Sequence, residues 1–460
     1  MKDISYKYKT YKDKEIKKLI NTEKNNIKLD IINLLDDILH EKKYSNIQIN
    51  YYFSKNNYSK KEKLFVTNIV NIVIKNLIYI DYLIEKCTRN IKKRKIKQLL
   101  RISVAQLFFM DSDNSGVVFE AGEIAKIINS HQVGFVNATL QNVLKNKEKF
   151  DQEIPMDKKD GIVYSYPQWF VNKLKSDFPD DYLKIMKSYK KRSFLSVRYD
   201  KNKFTKEEFE NLLKKIDTQI LFSVEEVYYL SNANIFETEN FKSGEIVVQD
   251  ASSYLAVKNL EVSQDDVVLD ACSAPGGKSL AILQLFNPQI LISTDIHHHK
   301  IKILENLKNK YGYKNWKIEL NDATKIENLD KKFDKILLDV PCSGLGVLRK
   351  KPEKIYELES NNFKSLKKIQ KKIFESAFNS IKNGGEIIYS TCTFSKNENT
   401  NNVKYFLEKY KNLEIKEVAI PKNIKILKDE FGGVYISYEN EYLDGFYIAK
   451  FKKVKKCDGD

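Results

Sequence analysis

From Gly244 onward, apolar runs of strand length alternate with helical segments, and this alternation constrains the fold more than any other feature. The runs are "DVVLDA" from Asp266, "ILISTDI" from Ile290, "KILLDV" from Lys335 and "GEIIYSTC" from Gly385. Continuous apolar strands separated by helices specify a parallel sheet covered on both faces. The predicted class for this part is therefore α/β and Rossmann-like. In such a sheet, ligands bind outside the carboxyl ends of the strands. Each run ends in reactive or ligand-holding residues: Asp270 and Cys272, then Asp295, then Asp339 and Cys342, then Cys392. A parallel arrangement delivers all of them to one edge.

The chain upstream follows a different pattern. Ile27, Ile31, Leu34, Leu35 and Ile38 fall at i, i+4, i+7, i+8 and i+11, one face of a helix. "KLFVTNIVNIVIKNLIYI" from Lys63 predicts a central helix, and the runs from Lys95, Phe119 and Gly134 continue the period. An all-α domain over residues 1–150 is expected. The charged stretch ending at Gly161 contains Pro155 and has no period, which predicts a linker. Residues 162–243 mix "SFLSVRYD", alternating like a strand, with the helical "KEEFENLLKKI", so a small α+β module is expected there. The α/β domain then occupies 244–453. Two or three domains suit 460 residues.

The formal net charge of +17 favours a polyanionic partner. Lysine-rich stretches are ordinarily solvated faces; "RKKPEK" from Arg349 is the best candidate for a phosphate-binding one, because it abuts the reactive strand ends. Five cysteines at irregular spacing make a poor disulfide framework and point to a reducing compartment. No CxxC pair occurs, which argues against structural zinc. The first twenty residues carry no apolar signal core and no run is long enough to span a bilayer, so a cytoplasmic location without membrane attachment is expected. Cys87 reads as a core residue and Cys457 as part of the tail. His297 to His299 sit at a helix start and point in different directions, which suits a patch facing solvent or a polyanionic partner better than a metal site.

"LDACSAPGGKS", Leu269 to Ser279, reads as a strand, a small-residue turn and a helix start. Pro275, Gly276 and Gly277 allow a tight turn with close approach to the backbone, and the following helix N-terminus suits an anion. The stretch has neither dinucleotide GxGxxG spacing nor the first glycine of a P-loop. Asp295 lies about 20 residues on, a spacing that suits ribose hydroxyls. Asp322 is placed to reach an adenine amino group; a turn or helix cap is the plainer reading of either aspartate. "LLDVPCSGLGVLRKKPE" sets Asp339 and Cys342 three residues apart across Pro341, and "YSTCTFSKNEN" adds Cys392. Two thiols and a carboxylate at strand ends suit nucleophilic chemistry on an electron-poor ring. A thiolate adding at C6 of cytosine makes C5 reactive toward an electrophilic methyl group, with an acid near N3 and a base for the C5 proton. On residue types alone either thiol qualifies, and both could equally be small buried hydrophobes.

These motifs resemble the S-adenosylmethionine-dependent RNA (cytosine-5)-methyltransferases. "VVQDASSYLA" from Val247, "LDACSAPGGKS", "LLDVPCSGLG", "YSTCTFSKNEN" and "DGFYIAKFKK" from Asp444 stand in that family's order. The helical region, with "RISVAQLFF" from Arg101 and "FVNATLQNVL" from Phe135, is similar to the NusB-like RNA-binding domain. The pairing resembles the bacterial 16S rRNA cytosine-5 methyltransferases of the RsmB (Fmu/Sun) type, which modify position 967 in the customary rRNA numbering. The resemblance implies a class I methyltransferase fold, S-adenosyl-L-methionine as cofactor, 16S rRNA as partner, no metal, and a monomer. It makes Cys392 the nucleophile, lets Cys342 assist breakdown of the covalent adduct, and sets Asp339 against the base and the cofactor. Cys272, Ser273, Ala274, Pro275, Gly276, Gly277 and Lys278 become the cofactor loop, with Asp295 at the ribose and Asp322 at the adenine. Three departures from the family pattern are Ser279 for Thr, Lys300 for Arg and Thr400 for Glu. A tRNA methyltransferase, or an antitermination or ribosome-assembly factor with an idle catalytic domain, are the alternatives.

Overall fold

The computed structural model describes residues 27–455 apart from 89, 360 and 361. The first twenty residues and Cys457 lie outside them. The chain forms two compact units, one of Met1–Lys190 with Lys351–Glu357 and one of Lys191–Lys350 with Leu358–Asp460.

The first unit is helical, as its 3.6-residue period predicts. Helices Ile27–Leu39, Ser45–Lys55, Lys60–Lys75, Leu77–Cys87, Arg94–Phe109, Asn114–Asn129 and Val133–Gln152 pack around one aliphatic core. The helix Arg94–Phe109 buries residues on every side, including Gln98 and Arg101. Arg101 Nε donates to Asp81 Oδ1 at 2.7 Å, which compensates the buried guanidinium. Two expectations change. The run from Lys63 is two helices bent by 73°; Asn76 separates them, its side-chain amide donating back to the Ile72 carbonyl at 2.9 Å. The expected linker is mostly helix: Val133–Gln152 runs through the charged stretch and Lys159–Val163 follows Pro155. Tyr79 and Tyr82 hydroxyls donate to Asp151 Oδ1 and the Phe150 carbonyl, both at 2.7 Å, anchoring the end of that helix. Cys87 is half-buried against the core, and burial pushes its thiol up to about 11. Helices Gln168–Asp177 and Tyr182–Lys190 complete the run to Lys190.

The second unit holds two sheets. β1 (Leu195–Tyr199), β2 (Ile220–Val224), β3 (Val227–Leu230) and β4 (Ile246–Val248) form an antiparallel sheet in the order β2-β3-β1-β4. The helix Lys206–Lys215 starts from a reciprocal cap between Thr205 and Glu208.

The larger sheet contains β5 (Val267–Asp270), β6 (Ile290–Asp295), β7 (Trp316–Leu320), β8 (Phe333–Asp339), β9 (Ile381–Thr391), β10 (Leu413–Lys416), β11 (Ile426–Lys428), β12 (Val434–Ile436) and β13 (Phe446–Lys453). Its order is β11-β12-β13-β9-β8-β5-β6-β7, with β10 also pairing β13. The β9-β8-β5-β6-β7 half is parallel and comprises the four runs predicted from their apolar character, with β7 at the edge. β10 to β13 extend it in antiparallel fashion. Among the described residues no single helix is long and apolar enough to cross a membrane.

Candidate active site

Strand register gathers the predicted residues at one edge. Asp270 pairs with Leu337 of β8 and Ser293 of β6, Asp295 with Leu320 of β7, and Asp339 with Ser390 of β9. Every parallel strand therefore ends at a similar height, and the turns beyond carry Cys272, Asp322, Cys342 and Cys392 together.

The turn after β5 is fixed by the neighbouring strand. Ser273 donates to the Thr294 carbonyl from both its N–H and its hydroxyl, each at 2.9 Å. Gly276 N–H closes the turn on the Ser273 carbonyl at 2.7 Å. Gly276 holds φ +104°, and a Cβ there would meet Leu307 at 2.7 Å and Leu304 at 2.9 Å, so glycine is required. Gly277 opens the helix Gly277–Phe286, and a Cβ on it would meet nothing within 4 Å. Below the turn a buried chain of polar groups runs Trp316 Nε1 to Ser293 Oγ (2.8 Å), Ser293 to Ser279 (2.8 Å) and Ser279 to Asp270 Oδ2 (2.6 Å). Ser279 thus serves in a packed network that its hydroxyl satisfies. Burial pushes Asp270 up to about 7 and the Cys272 thiol well above its ordinary range.

Asp295 and Asp322 both make the local turn bonds expected of lone aspartates. Asp295 Oδ1 accepts from His297 N–H at 3.1 Å and its Oδ2 from Lys300 at 3.3 Å. Asp322 Oδ1 accepts from Thr324 N–H at 2.9 Å. His297 and His299 are exposed with ring centroids 5.5 Å apart. Among the described residues no group of three or more His, Cys, Asp or Glu is placed to hold a metal ion.

Lys278 leaves the loop to join the strand-end carboxylate. Its Nζ donates to Asp339 Oδ2 at 2.5 Å, while Ser390 Oγ donates to Asp339 Oδ1 at 3.1 Å. Burial opposes the Lys278 charge, but the attraction of Asp339, with Asp270 and Cys392 beyond it, outweighs burial and raises its pKa. The sequence placed Lys278 in the loop without indicating this partner, which lies 61 residues away.

The two thiols meet. Cys342 Sγ and Cys392 Sγ are 3.2 Å apart, both half-buried and not joined in a disulfide. Backbone joins their loops: Gly346 N–H donates to the Cys392 carbonyl at 2.9 Å and Gly445 N–H to the Gly346 carbonyl at 3.1 Å. A Cβ on Gly346 would lie 2.0 Å from the Gly445 carbonyl oxygen, and one on Gly445 would lie 2.0 Å from the Phe394 ring. Sequence reasoning missed Glu398 and Asn399, whose side chains are fully buried beside both thiol loops. The only signal was polarity too dense for a simple turn in "SKNEN".

The reading of "RKKPEK" as a phosphate surface is corrected for Arg349 and Lys350. Arg349 is buried, with Nη1 on the Glu441 carbonyl and Nη2 3.3 Å from the Asn440 carbonyl. Lys350 Nζ sits 2.8 Å from both Asp250 Oδ2 and Asp444 Oδ2. Burial and Asp250 push Asp444 up to about 6, while Lys350 outweighs burial and holds Asp250 below its ordinary range. Lys350 is committed to the fold because Asp250 and Asp444 would be costly to bury unpaired, and Arg349 is held by backbone carbonyls.

Comparison with known proteins bears on the family and the fold. Residues 257–452 match the family model "16S rRNA methyltransferase RsmB/F", and residues 25–145 match "NusB family". The "Probable ribosomal RNA small subunit methyltransferase B" of Bacillus subtilis is 29% identical, across 89% of this chain and 95% of its own length. The "Ribosomal RNA small subunit methyltransferase B" of Vibrio cholerae is 27% identical, across 79% and 82%. Among solved structures, that of PH0851 aligns with a TM-score of 0.76 at 22% identity, over 93% of this chain and 99% of that one. NSun6 from Pyrococcus horikoshii with SFG aligns at 0.56 and 23%, over 63% and 99%. The chain is a methyltransferase that joins a NusB-family domain to a catalytic domain of the RsmB/F family.

Proposed function

We propose that this methyltransferase transfers a methyl group from S-adenosyl-L-methionine to C5 of a cytosine in 16S rRNA, through a covalent Cys392–C6 adduct. The proposal extends to a cytoplasmic monomer. What carries the reading is the thiol pair 3.2 Å apart beside the Lys278–Asp339 ion pair, at the ligand-binding edge of a parallel sheet.

The residues present fit the cofactor. Gly277 leaves open space beside its backbone, the Cys272–Lys278 turn leads into a helix N-terminus that suits a carboxylate, and Asp295 and Asp322 supply oxygens at successive strand ends. Bound S-adenosyl-L-methionine supplies an electrophilic methyl group. The remaining work falls to side chains. Cys392 Sγ loses its proton to solvent and bonds to C6, the C5=C6 π bond breaking so that its electron pair becomes available at C5. Asp339 accepts from the base edge, and the Lys278 ammonium stabilises charge that builds on the ring. After C5 is methylated, Cys342 in its thiolate form takes the C5 proton and later releases it to solvent, the C5=C6 bond re-forms from the C5–H pair, and the Cys392–C6 bond breaks with its pair returning to sulfur. The target base must leave its stack to reach Cys392, and the NusB-family domain offers the added RNA grip.

The test is bisulfite sequencing of 16S rRNA from cells lacking the gene, then complemented with wild type or Cys392→Ala. One cytosine should become convertible in the deletion, regain protection with wild type, and stay convertible with the variant. Protection restored by Cys392→Ala would overturn the reading.

A further inference from the structure

The residues on either side of each thiol are tied to Glu398 and Asn399, Pro341 by way of Gln370, and the proposed mechanism uses none of these side chains. Glu398 Oε1 accepts from Ser343 Oγ at 2.6 Å, and Oε2 accepts from Ser343 N–H at 2.9 Å and from Gln370 Nε2 at 3.0 Å. Ser343 follows Cys342, and its hydroxyl also lies 2.8 Å from that of Thr393, which follows Cys392. Gln370 Nε2 donates in addition to the carbonyl of Pro341, the residue before Cys342, at 3.0 Å. Asn399 brackets the other thiol: its Oδ1 accepts from Thr391 Oγ1 at 2.6 Å and its Nδ2 donates to the Thr393 carbonyl at 2.8 Å.

Glu398 is fully buried, and the partners of its carboxylate are neutral donors. Burying a carboxylate among neutral groups is costlier than burying an amide of the same shape. A glutamine there would keep its carbonyl oxygen toward the Ser343 N–H and Gln370 but turn an N–H toward Ser343 Oγ, whose own proton would have to swing to Thr393, so the link between the two loops would be rearranged. Such an arrangement is retained where geometry matters more than stability. The two thiol loops leave adjacent parallel strands, β8 and β9, and this network links them at the side-chain level beyond the Ser390–Asp339 bond that joins the strand ends.

We infer that Glu398 is a positioning residue of the methyl-transfer site: assisted by Asn399, it sets the distance between Cys342 and Cys392, and so the rate at which the covalent adduct breaks down. The inference rests on the thiol roles proposed above. A displacement of about 1 Å at such a site costs on the order of a hundredfold in rate.

The deciding experiment measures thiol spacing without RNA or cofactor. Full-length wild type, Glu398→Gln and Ser343→Ala are treated with diamide, which takes up the two electrons and two protons released as the S–S bond forms. Mass spectrometry then follows the Cys342–Cys392 peptide pair over time. Linking should be about tenfold slower in Glu398→Gln and slowed less in Ser343→Ala. With 16S rRNA and S-adenosyl-L-methionine, Glu398→Gln should also accumulate a denaturant-resistant adduct. Linking at the wild-type rate in a folded Glu398→Gln overturns the inference. If that variant does not fold, an unchanged rate in Ser343→Ala does so. Because linking is independent of methyl transfer, retained transfer by Cys392→Ala would sink the mechanistic reading separately.

Discussion

Cys342 Sγ lies 3.2 Å from Cys392 Sγ although 50 residues separate them, because β8 and β9 are parallel neighbours that end at the same height. That contact makes a division of labour between the thiols geometrically feasible: one bonded to the base, the other within reach of the departing proton.

Cys342→Ala is expected to form the protein–RNA adduct and release it slowly. A band shifted on a denaturing gel, dependent on both 16S rRNA and S-adenosyl-L-methionine, should build up in this variant. The Cys342→Ala/Cys392→Ala double variant should show none. Equal band intensity in wild type and Cys342→Ala would remove Cys342 from the release step.

Lys278→Met keeps the apolar stem but leaves Asp339 without its cation. Methyl transfer should fall by about a hundredfold with kcat carrying the loss, since charge on the ring goes uncompensated in the transition state. The raised Lys278 pKa means that wild type loses no activity from this group up to its ordinary titration range. Steady-state kinetics over a pH series separates these effects, and an unchanged kcat would contradict them.

Glycines near the site divide by what surrounds them. Gly445→Ala drives a Cβ to 2.0 Å from the Phe394 ring and should cost about 1–3 kcal/mol, read as a lowered Tm. Gly277→Ala meets open space and begins a helix, so its Tm should stay level or rise slightly. Its S-adenosyl-L-methionine affinity, measured by calorimetry, should nonetheless fall, because the new methyl group occupies the approach to the backbone. Full affinity in Gly277→Ala would argue against the loop as the cofactor site.

Asp270 makes stability pH-dependent. Buried, it titrates near 7 in the folded chain against 3.8 in its ordinary range. Between those values the folded chain keeps the proton and the unfolded chain releases it, so stability is greatest below about pH 4, falls as pH rises to about 7, and is level above. The full shift corresponds to at most about 4 kcal/mol. Asp270→Asn lacks this term. In urea unfolding, the variant should gain on wild type by about 2–4 kcal/mol between pH 4.5 and pH 8. An identical difference at both pH values would contradict the assignment.

Much of the fold was legible because it is written in local periods. The helical face of Ile27 to Ile38 and the apolar runs of β5, β6, β8 and β9 follow from burial on one or both sides. So does the delivery of Asp270, Asp295, Asp339, Cys342 and Cys392 to one edge, since parallel strands share a direction. Local pattern failed where tertiary contacts overrode it. Asn76 breaks an unbroken apolar period, and a charged stretch lacking any period became helix once Tyr79 and Tyr82 anchored its end.

By itself the sequence determined the strand ends, the turn chemistry of Ser273 to Gly277 and which side chains are candidates for chemistry. Only the tertiary structure decided which of them touch. The order β9-β8-β5 differs from the chain order, and it alone puts Lys278 on Asp339 and Cys342 against Cys392. Glu398 was invisible for the same reason. Its partners lie 55 and 28 residues away, and a buried carboxylate reads in sequence as an ordinary solvated one until the strands that enclose it are paired.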